Sequence, residues 1–160
     1  TFIHYWGNID VLVNNVGQYD EDNLDNFSES KLNNLLNINF YSALRLTQRF
    51  IPEFKKRKKG HIINICSVLS KDIRTNAVSY TMSKQLIYIY TKILREDLRA
   101  SNVKVTAILP GSTNTSSWDG IDAPLHEFVQ PQDVANGVVM ALKSKGMVEE
   151  LEIKPINPDL

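Results

Sequence analysis

The sequence of 160 residues lacks several features that would define a class of protein. It has a single cysteine, Cys66, which excludes an internal disulfide and any zinc site built on several cysteines. Its 18 basic side chains balance 18 acidic ones, which argues against a protein whose main task is to bind nucleic acid. No apolar run approaches the roughly 18 residues of a membrane span, and no basic-then-apolar leader is present. These absences favour a soluble, globular, cytoplasmic protein with no metal site and no nucleic-acid or membrane partner.

Glycine is scarce where nucleotide-binding proteins concentrate it. The seven glycines are at least nine residues apart, so no glycine-rich turn joins a strand to a helix. Such a turn is what cradles a pyrophosphate at a helix N-terminus. The sequence therefore predicts no pyrophosphate cradle within these 160 residues.

Apolar runs of strand length alternate with longer segments of helical period. The predicted strands are residues 9–14, 61–66, 103–109 and 148–154. The predicted helices are one long helix over 28–59, then 79–100, then 131–144 with Pro131 in its first turn. Strands separated by helices of this length imply right-handed crossovers and a parallel sheet. We therefore predict an α/β fold, with residues 1–160 forming a single domain around a doubly wound parallel sheet that has helices on both faces.

Ligands of such sheets bind beyond the carboxyl ends of the strands. Three segments follow the first three predicted strands, namely 14–17, 67–70 and 110–115. We expect these segments to converge on one crevice.

Residues with acid/base potential follow the second predicted strand. Tyr80 and Lys84 are four residues apart on a predicted helix, so they share one face. An ammonium this close to a phenol stabilises the phenolate form, which would make Tyr80 a usable general acid/base. Ser67 ends the strand, where its hydroxyl could donate to a substrate carbonyl and share the charge that develops there. The alternatives are a surface contact for the Tyr80–Lys84 pair and a capping serine for Ser67.

Together with other short motifs, these residues form a recognisable series. The motifs in chain order are Asn14-Asn15-Val16-Gly17, Asn39, Ser67, Tyr80-x-x-x-Lys84 and Pro110-Gly111-x-x-x-Thr115. In order and spacing, the sequence resembles the short-chain dehydrogenase/reductase family over essentially the whole chain, from about Tyr5. The resemblance implies a Rossmann-like fold and an NAD(P)-dependent oxidoreductase, which transfers hydride between a nicotinamide cofactor and a small-molecule carbonyl or alcohol.

The resemblance also implies roles for single residues. Tyr80 would donate or take the substrate proton, Lys84 would hold the nicotinamide ribose, and Ser67 would orient the substrate. Asn39 would hold a water in the proton relay, although a buried structural hydrogen bond explains an amide among apolar neighbours as well. The implied cofactor is NADP or NAD, with a slight preference for NADP. Its implied contacts are Asn14, Asn15, Val16, Gly17, Tyr80, Lys84, Pro110, Gly111, Thr113 and Thr115.

The sequence departs from the family pattern in three single positions. Val16 replaces the usual alanine and adds modest crowding near the ribose. Thr113 stands where an aliphatic residue is common, at a position that acts largely through its backbone. Ser70 stands where a glycine often follows the catalytic serine, which puts the local turn in doubt.

A larger departure concerns the family's first βαβαβ half, which carries the glycine motif. By the resemblance, roughly the first third of the usual domain is absent, so the sequence corresponds to the C-terminal catalytic portion. An alternative to a working enzyme is therefore a non-catalytic fragment that cannot bind cofactor alone.

Two further segments bear on substrate and assembly. Residues 113–129 are predicted to form a substrate lid that includes Trp118 and Phe128. Residues 86–90 of the helix over 79–100 are apolar on more than one face. This helix is therefore either fully buried or a subunit interface, and the family's common mode of dimerisation favours a homo-oligomer formed through it.

The remaining candidate features have simpler explanations. The five consecutive cations of residues 55–59 could form a nucleic-acid patch, but cations also suit a helix C-terminus, with Gly60 as its cap. His4, His61 and His126 lack the spacing of metal ligands. Cys66 is predicted to be a buried packing residue.

Overall fold

Strands and helices alternate along residues 8–157, the part of the chain that the computed structural model describes. The strands are β1 (Val11–Asn14), β2 (Gly60–Ile65), β3 (Val103–Pro110) and β4 (Glu150–Ile153). The α-helices are α1 (Glu29–Leu36), α2 (Ser42–Arg57), α3 (Val78–Arg99) and α4 (Pro131–Lys143). The strands form one parallel sheet in the order β1-β2-β3-β4, which confirms the predicted architecture. Within residues 8–157, none of the helices combines the length and apolar character needed to cross a bilayer.

Helices α2 and α3 cover one face of the sheet. Successive side chains of a strand point to opposite faces, and Leu12, Ile62 and Val105 all point to this one. They pack against Phe54 of α2 and Leu98 of α3, both fully buried. This apolar layer fixes the helix that carries Tyr80 against the sheet.

Helix α4 lies on the opposite face, above β3 and β4. Gly137 allows the close approach, because a Cβ there would lie 2.8 Å from Leu151 and 2.9 Å from Ile153. Val13 of β1 also points to this face but stays 40% exposed. The sheet is therefore covered on both faces around β3, while the β1 side of the α4 face is open among the described residues.

The prediction of one uninterrupted helix over residues 28–59 is wrong in its interior and at its end. A π-helical segment, Asn37–Tyr41, separates α1 from α2, and such wider turns often occur at functional sites. Lys58 ends α2 in a left-handed conformation with φ of 51°, so Gly60 is not the predicted cap. Gly60 instead begins β2 and makes room for the ring of Phe54, since a Cβ at this position would lie 2.6 Å from its Cγ.

Three of the five cations at the end of α2 pair with carboxylates of the chain itself. Lys55 pairs with Asp97 at 2.7 Å. Arg57 and Lys59 share Asp10, at 2.9 and 3.3 Å. These pairs give the run a structural explanation that does not involve nucleic acid.

Candidate functional site

A cleft of about 720 Å³ lies at the carboxyl ends of β1, β2 and β3, between the sheet and α4. This is the crevice that the strand order predicts. The predicted site residues that line it are Asn15, Gly17, Ser67, Tyr80, Lys84, Pro110, Gly111, Thr113, Thr115 and Trp118. Those that do not line it are Asn14, Val16, Asn39 and Phe128.

Asn14 and Val16, two of the predicted cofactor contacts, lie outside the lining of the cleft. The buried Asn14 amide donates to Asn64 Oδ1 at 2.7 Å and to Thr47 Oγ1 at 3.0 Å, which ties β1 to β2 and α2. Val16 is 67% exposed and lies outside the cleft lining. In this motif, Asn15 and Gly17 therefore face the cleft, while Asn14 holds the strand that presents them.

Asn39 lies in the π-helical segment and is fully buried. Its Oδ1 accepts from the Gln18 backbone N–H at 2.8 Å, and its Nδ2 donates to the Gln18 carbonyl at 3.0 Å. Nδ2 also donates to Ser83 Oγ at 2.9 Å. The amide thus joins the loop after β1 to α3 through the buried hydrogen bonds that the structural interpretation predicts, and its role toward a water stays a prediction.

Tyr80 and Lys84 share one face of α3, with Lys84 Nζ 5.8 Å from the centre of the Tyr80 ring. Lys84 is only 5% exposed, and its Nζ donates to the Ile65 carbonyl at 3.1 Å. An ammonium has three N–H donors, and this carbonyl is its one recorded acceptor among residues 8–157. The other two donors are therefore available at the cleft, where Gly17 leaves room because a Cβ there would lie 3.2 Å from Nζ.

Two residues of the loop after β1 hold Tyr80 in place. The Tyr19 ring packs edge-on against the Tyr80 ring, with centroids 4.9 Å apart. The buried Asp22 accepts from the Ser79 backbone N–H at 2.9 Å and from the Ser79 hydroxyl. Burial alone would raise the pKa of Asp22, but the Ser79 hydrogen bonds, together with the Lys31 charge and the Val78 N–H, lower that pKa below its usual value. A carboxylate from a distant segment therefore caps the helix one residue before Tyr80.

Ser67 is buried at the cleft and begins a single 3₁₀ turn, Val68–Ser70. Its Oγ accepts from the Leu69 N–H at 3.2 Å, and no acceptor among residues 8–157 is recorded for its hydroxyl proton. Ser70 Oγ accepts from the Ser67 N–H at 3.2 Å and donates to the Lys84 carbonyl at 2.8 Å. Ser70 therefore stabilises the turn in place of a glycine, and Ser67 keeps a donor that faces the cleft.

Lys71 anchors the far end of this turn to the last strand. Its ammonium lies 2.7 Å from Glu150 and 2.6 Å from Glu152 of β4. The Lys71 charge holds the pKa of Glu152 below its usual value. The C-terminal end of the turn that presents Ser67 is thus held to α3 by Ser70 and to β4 by Lys71.

The loop after β3 approaches the segment after β4 closely. The Gly111 N–H donates to the Ile153 carbonyl at 2.8 Å. A Cβ at Gly111 would lie 2.9 Å from Pro155, so a larger residue would push the loop away. Pro110 and Gly111 are held at the cleft by this contact.

The predicted lid is ordered around Trp118. The Trp118 indole N–H donates to the Thr113 carbonyl at 3.0 Å, and its ring packs on Phe128 at 4.8 Å. Thr115 caps the short turn Ser116–Trp118, accepting from Ser117 N–H at 3.4 Å. Trp118 therefore faces the cleft, and Phe128 supports it from behind.

Sequence reasoning missed several polar residues of the lining, among them three neighbours that carry titratable groups: Tyr19, Glu21 and Arg74. The Tyr19 hydroxyl donates to Glu21 Oε1 at 3.2 Å, and the nearby Arg74 guanidinium favours its ionised form. Burial, and then the Glu21 carboxylate, raises the pKa of Tyr19. The available signal was position alone, since Tyr19 follows Gly17 by two residues and Arg74 precedes Tyr80 by six.

The remaining titratable candidates lack a chemical role at the cleft. No group of three or more metal-ligating side chains occurs in the part of the chain that the structure describes, and His4 lies outside it. His126 is exposed, whereas burial and the nearby Lys104 charge lower the pKa of His61 to about 4. Burial raises the pKa of Cys66 to about 11, which leaves a neutral thiol packed in the core, as predicted.

Comparison with known proteins shows which family the chain is similar to. A family model described as short chain dehydrogenase matches residues 1–125. The chain is 32% identical over 157 residues to an uncharacterized oxidoreductase of Staphylococcus epidermidis RP62A, covering 96% of this chain and 68% of the relative.

Two solved structures share this fold. A gluconate 5-dehydrogenase from Burkholderia cenocepacia, in complex with NADP and tartrate, is 23% identical with a TM-score of 0.85. A serine dehydrogenase from Escherichia coli is 27% identical with a TM-score of 0.82. The match covers 96% and 95% of this chain and 66% of each neighbour, so the chain spans about two thirds of the proteins it resembles.

Proposed function

The chain belongs to the short chain dehydrogenase family, and from this premise we propose that it is an NAD(P)-dependent oxidoreductase. It transfers hydride between a nicotinamide cofactor and the carbonyl or alcohol carbon of a small molecule. One observation carries the proposal: the Tyr80 ring, the Ser67 hydroxyl and the buried Lys84 ammonium all face one cleft at the carboxyl end of the sheet.

The residues present fit the nicotinamide end of such a cofactor. The two available N–H donors of the buried Lys84 suit a pair of ribose hydroxyls, and Gly17 and Gly111 leave space beside them. Thr113 and Thr115 line the same side of the cleft. When bound, the cofactor supplies or accepts the hydride. NADP is the first cofactor to test, since the Burkholderia neighbour is solved with it.

The side chains of the site would transfer the proton and stabilise the negative charge that develops on the substrate oxygen. Tyr80 gives its hydroxyl proton to the carbonyl oxygen during reduction and takes it back during oxidation. The positive charge of Lys84 stabilises the phenolate that remains. Ser67 donates a hydrogen bond to the oxygen on which negative charge develops. Asn39 is proposed to hold a water that returns the proton from solvent.

A second candidate is that the 160-residue chain cannot bind cofactor by itself. It is favoured by the absence from the sequence of a glycine-rich turn, the element that commonly cradles a pyrophosphate. Titration with NADPH and NADH, followed by nicotinamide fluorescence, separates the two. Tight binding overturns the second candidate, and no binding at millimolar cofactor supports it.

Replacement of Tyr80 by Phe tests the proposed chemistry. Tyr80→Phe keeps the ring that packs on Tyr19 but removes the proton donor. We expect cofactor affinity to change little and turnover to fall by about 10²-fold or more, the usual contribution of a general acid/base. The measurement is NADPH oxidation with a panel of ketones and aldehydes.

The matched control for this experiment is Tyr41→Phe. Tyr41 is 38% exposed and lies outside the cleft lining, so its loss of a hydroxyl is expected to leave turnover unchanged. Near-normal turnover in Tyr80→Phe would overturn the assignment of Tyr80.

We also propose that the protein forms a homo-oligomer through α3. Met82, Leu86, Ile89 and Ile93 form a stripe at helical spacing that is 36–60% exposed. The interpretation of a fully buried helix is therefore wrong for the chain on its own. A second copy of α3 would remove this apolar stripe from water.

A further inference from the structure

We propose that Arg74 forms an anion-binding subsite at the cleft, which takes a carboxylate or phosphate group carried by the substrate. This proposal rests on the proposed function and narrows it to one class of carbonyl or alcohol compound. The anionic group is not altered in the reaction, in which a carbonyl gains a hydride and a proton to become an alcohol.

The position of Arg74 relative to Tyr80 supports the proposal. Arg74 lines the cleft together with Tyr80, Ser67 and Trp118. Its guanidinium lies near the Tyr19 hydroxyl, whose ionised form it favours, and the Tyr19 ring packs on the Tyr80 ring with centroids 4.9 Å apart. A substrate whose carbonyl reaches Tyr80 can therefore place a second group, further along its chain, beside the guanidinium.

The Arg74 guanidinium has N–H donors available for a ligand. Within residues 8–157, Arg74 makes no ion pair, as is also true of Arg45 and Arg49 of α2, whereas Arg57, Arg95 and Arg99 each pair with a carboxylate. A guanidinium carries five N–H donors in a fixed fork, and one recorded side-chain partner, Tyr19, leaves part of that fork open.

The other two charged side chains of the lining, Lys84 and Glu21, are not suited to bind the anionic group of a substrate. Lys84 is buried at the floor of the cleft, where it is proposed to hold the ribose. Glu21 carries the opposite charge, and its carboxylate accepts from the Tyr19 hydroxyl and, in the part of the chain that the structure describes, makes no ion pair with Arg74. Arg74 is therefore the exposed cation that an incoming anion meets.

A guanidinium suits this task because it binds carboxylate and phosphate through two parallel hydrogen bonds. Two bonds at one end of a small substrate restrict its orientation, so that the reacting carbonyl faces Ser67 and Tyr80. The subsite would thus act on both affinity and alignment.

The test compares matched anionic and neutral ligands by NMR titration of the protein with saturating NADPH and, in parallel, without cofactor. The pairs are 3-hydroxybutyrate with 3-hydroxybutyramide, and glycerol 3-phosphate with glycerol. We expect at least one anion to bind about tenfold or more tightly than its neutral partner. Arg74→Gln should abolish this preference, while the matched control Arg49→Gln, an exposed arginine of α2 outside this cleft, should retain it.

Each result has a defined meaning. If the protein prefers only one of the two anions over its neutral partner, and Arg74→Gln abolishes that preference, the result supports the subsite and identifies its ligand as carboxylate or phosphate. Equal affinity for anions and neutral partners, or a preference that persists in Arg74→Gln, overturns it. Turnover is scored separately: failure to oxidise NADPH with any carbonyl would overturn the proposed function, while the binding comparison would still decide the role of Arg74.

Discussion

Asp22 illustrates how a single residue can position the helix that carries Tyr80. Both of its carboxylate oxygens accept hydrogen bonds from Ser79, and its own carbonyl accepts from the Val78 N–H at 3.3 Å. Helix α3 has no side-chain cap from its own preceding residue, Ala77. Asp22 therefore satisfies an N-terminal donor that α3 would otherwise leave unpaired.

We expect Asp22→Ala to lower the free energy of unfolding by about 1–2 kcal/mol at pH 7, the range for loss of a helix cap. Because the folded-state pKa of Asp22 is lowered, its contribution is present above the unfolded value near 3.8 and is lost as the pH falls below it. Urea unfolding at pH 7 measures the change. Asp25→Ala, at an exposed position of the same loop, is the control, and an equal loss in both variants would contradict a capping role.

The sequence identified some residues of the site and missed others for a physical reason. Tyr80 and Lys84 are four apart on one helix, so their proximity follows from helical geometry alone. Tyr19 and Arg74 meet at the cleft only because two separate loops converge there. No local pattern encodes that convergence, and single polar residues in loops give no periodic signal.

At the scale of elements, strands and helices followed from apolar patterning, while the π-helical segment did not. Leu36, Phe40 and Leu44 recur every four residues through and beyond Asn37–Tyr41, so the apolar pattern continues across the wider turn. Only the tertiary contacts of Asn39 distinguish this segment. The last strand was predicted as residues 148–154 and is shorter, Glu150–Ile153, since strand ends are set by pairing with β3.

The exposed stripe of α3 leads to a prediction about assembly. Ile93 is 60% exposed in the single chain, and a glutamate there would place a charge in the proposed contact between two copies. We expect Ile93→Glu to shift the protein from oligomer to monomer without lowering the stability of the fold. Sedimentation velocity over a range of protein concentrations measures the shift.

The control for the assembly experiment is Ile73→Glu. Ile73 is 80% exposed and lies in the loop before α3, so the same change of charge is made away from the stripe. It is expected to leave the oligomer intact. A wild-type protein that remains monomeric at all concentrations would contradict the proposal.

At the scale of the whole molecule, buried polar groups link the layers of the sheet and set its response to acid. His61 of β2 is 5% exposed, and its Nε2 lies 2.8 Å from Thr106 Oγ1 of β3. Thr106 donates its own proton to the Val148 carbonyl at 2.6 Å, so the His61 Nε2 carries the proton that Thr106 accepts. This neutral tautomer joins β2 to β3 and to the segment before β4.

Acid is therefore expected to weaken the fold through His61 before it acts on the carboxylates. Burial and Lys104 lower the folded-state pKa of His61 to about 4, below the unfolded value of 6.5. The stabilising effect is present above pH 6.5 and is lost as the pH falls toward 4, by about 2 kcal/mol at pH 5. Asp22 and Glu152 have lowered pKa values, so their contributions begin to be lost only near their unfolded values of 3.8 and 4.5, at the lower end of the range where His61 acts.

Urea unfolding of wild type and His61→Gln at pH 7 and pH 5 tests this expectation. The glutamine can still donate to Thr106 but does not titrate, so the variant should lose about 2 kcal/mol less than wild type between the two pH values. His126→Gln, at an exposed histidine, should reproduce the wild-type loss. If His61→Gln loses as much stability as wild type between pH 7 and pH 5, groups other than His61 cause the acid response. In that case His61 would bind protons equally in the folded and the unfolded chain.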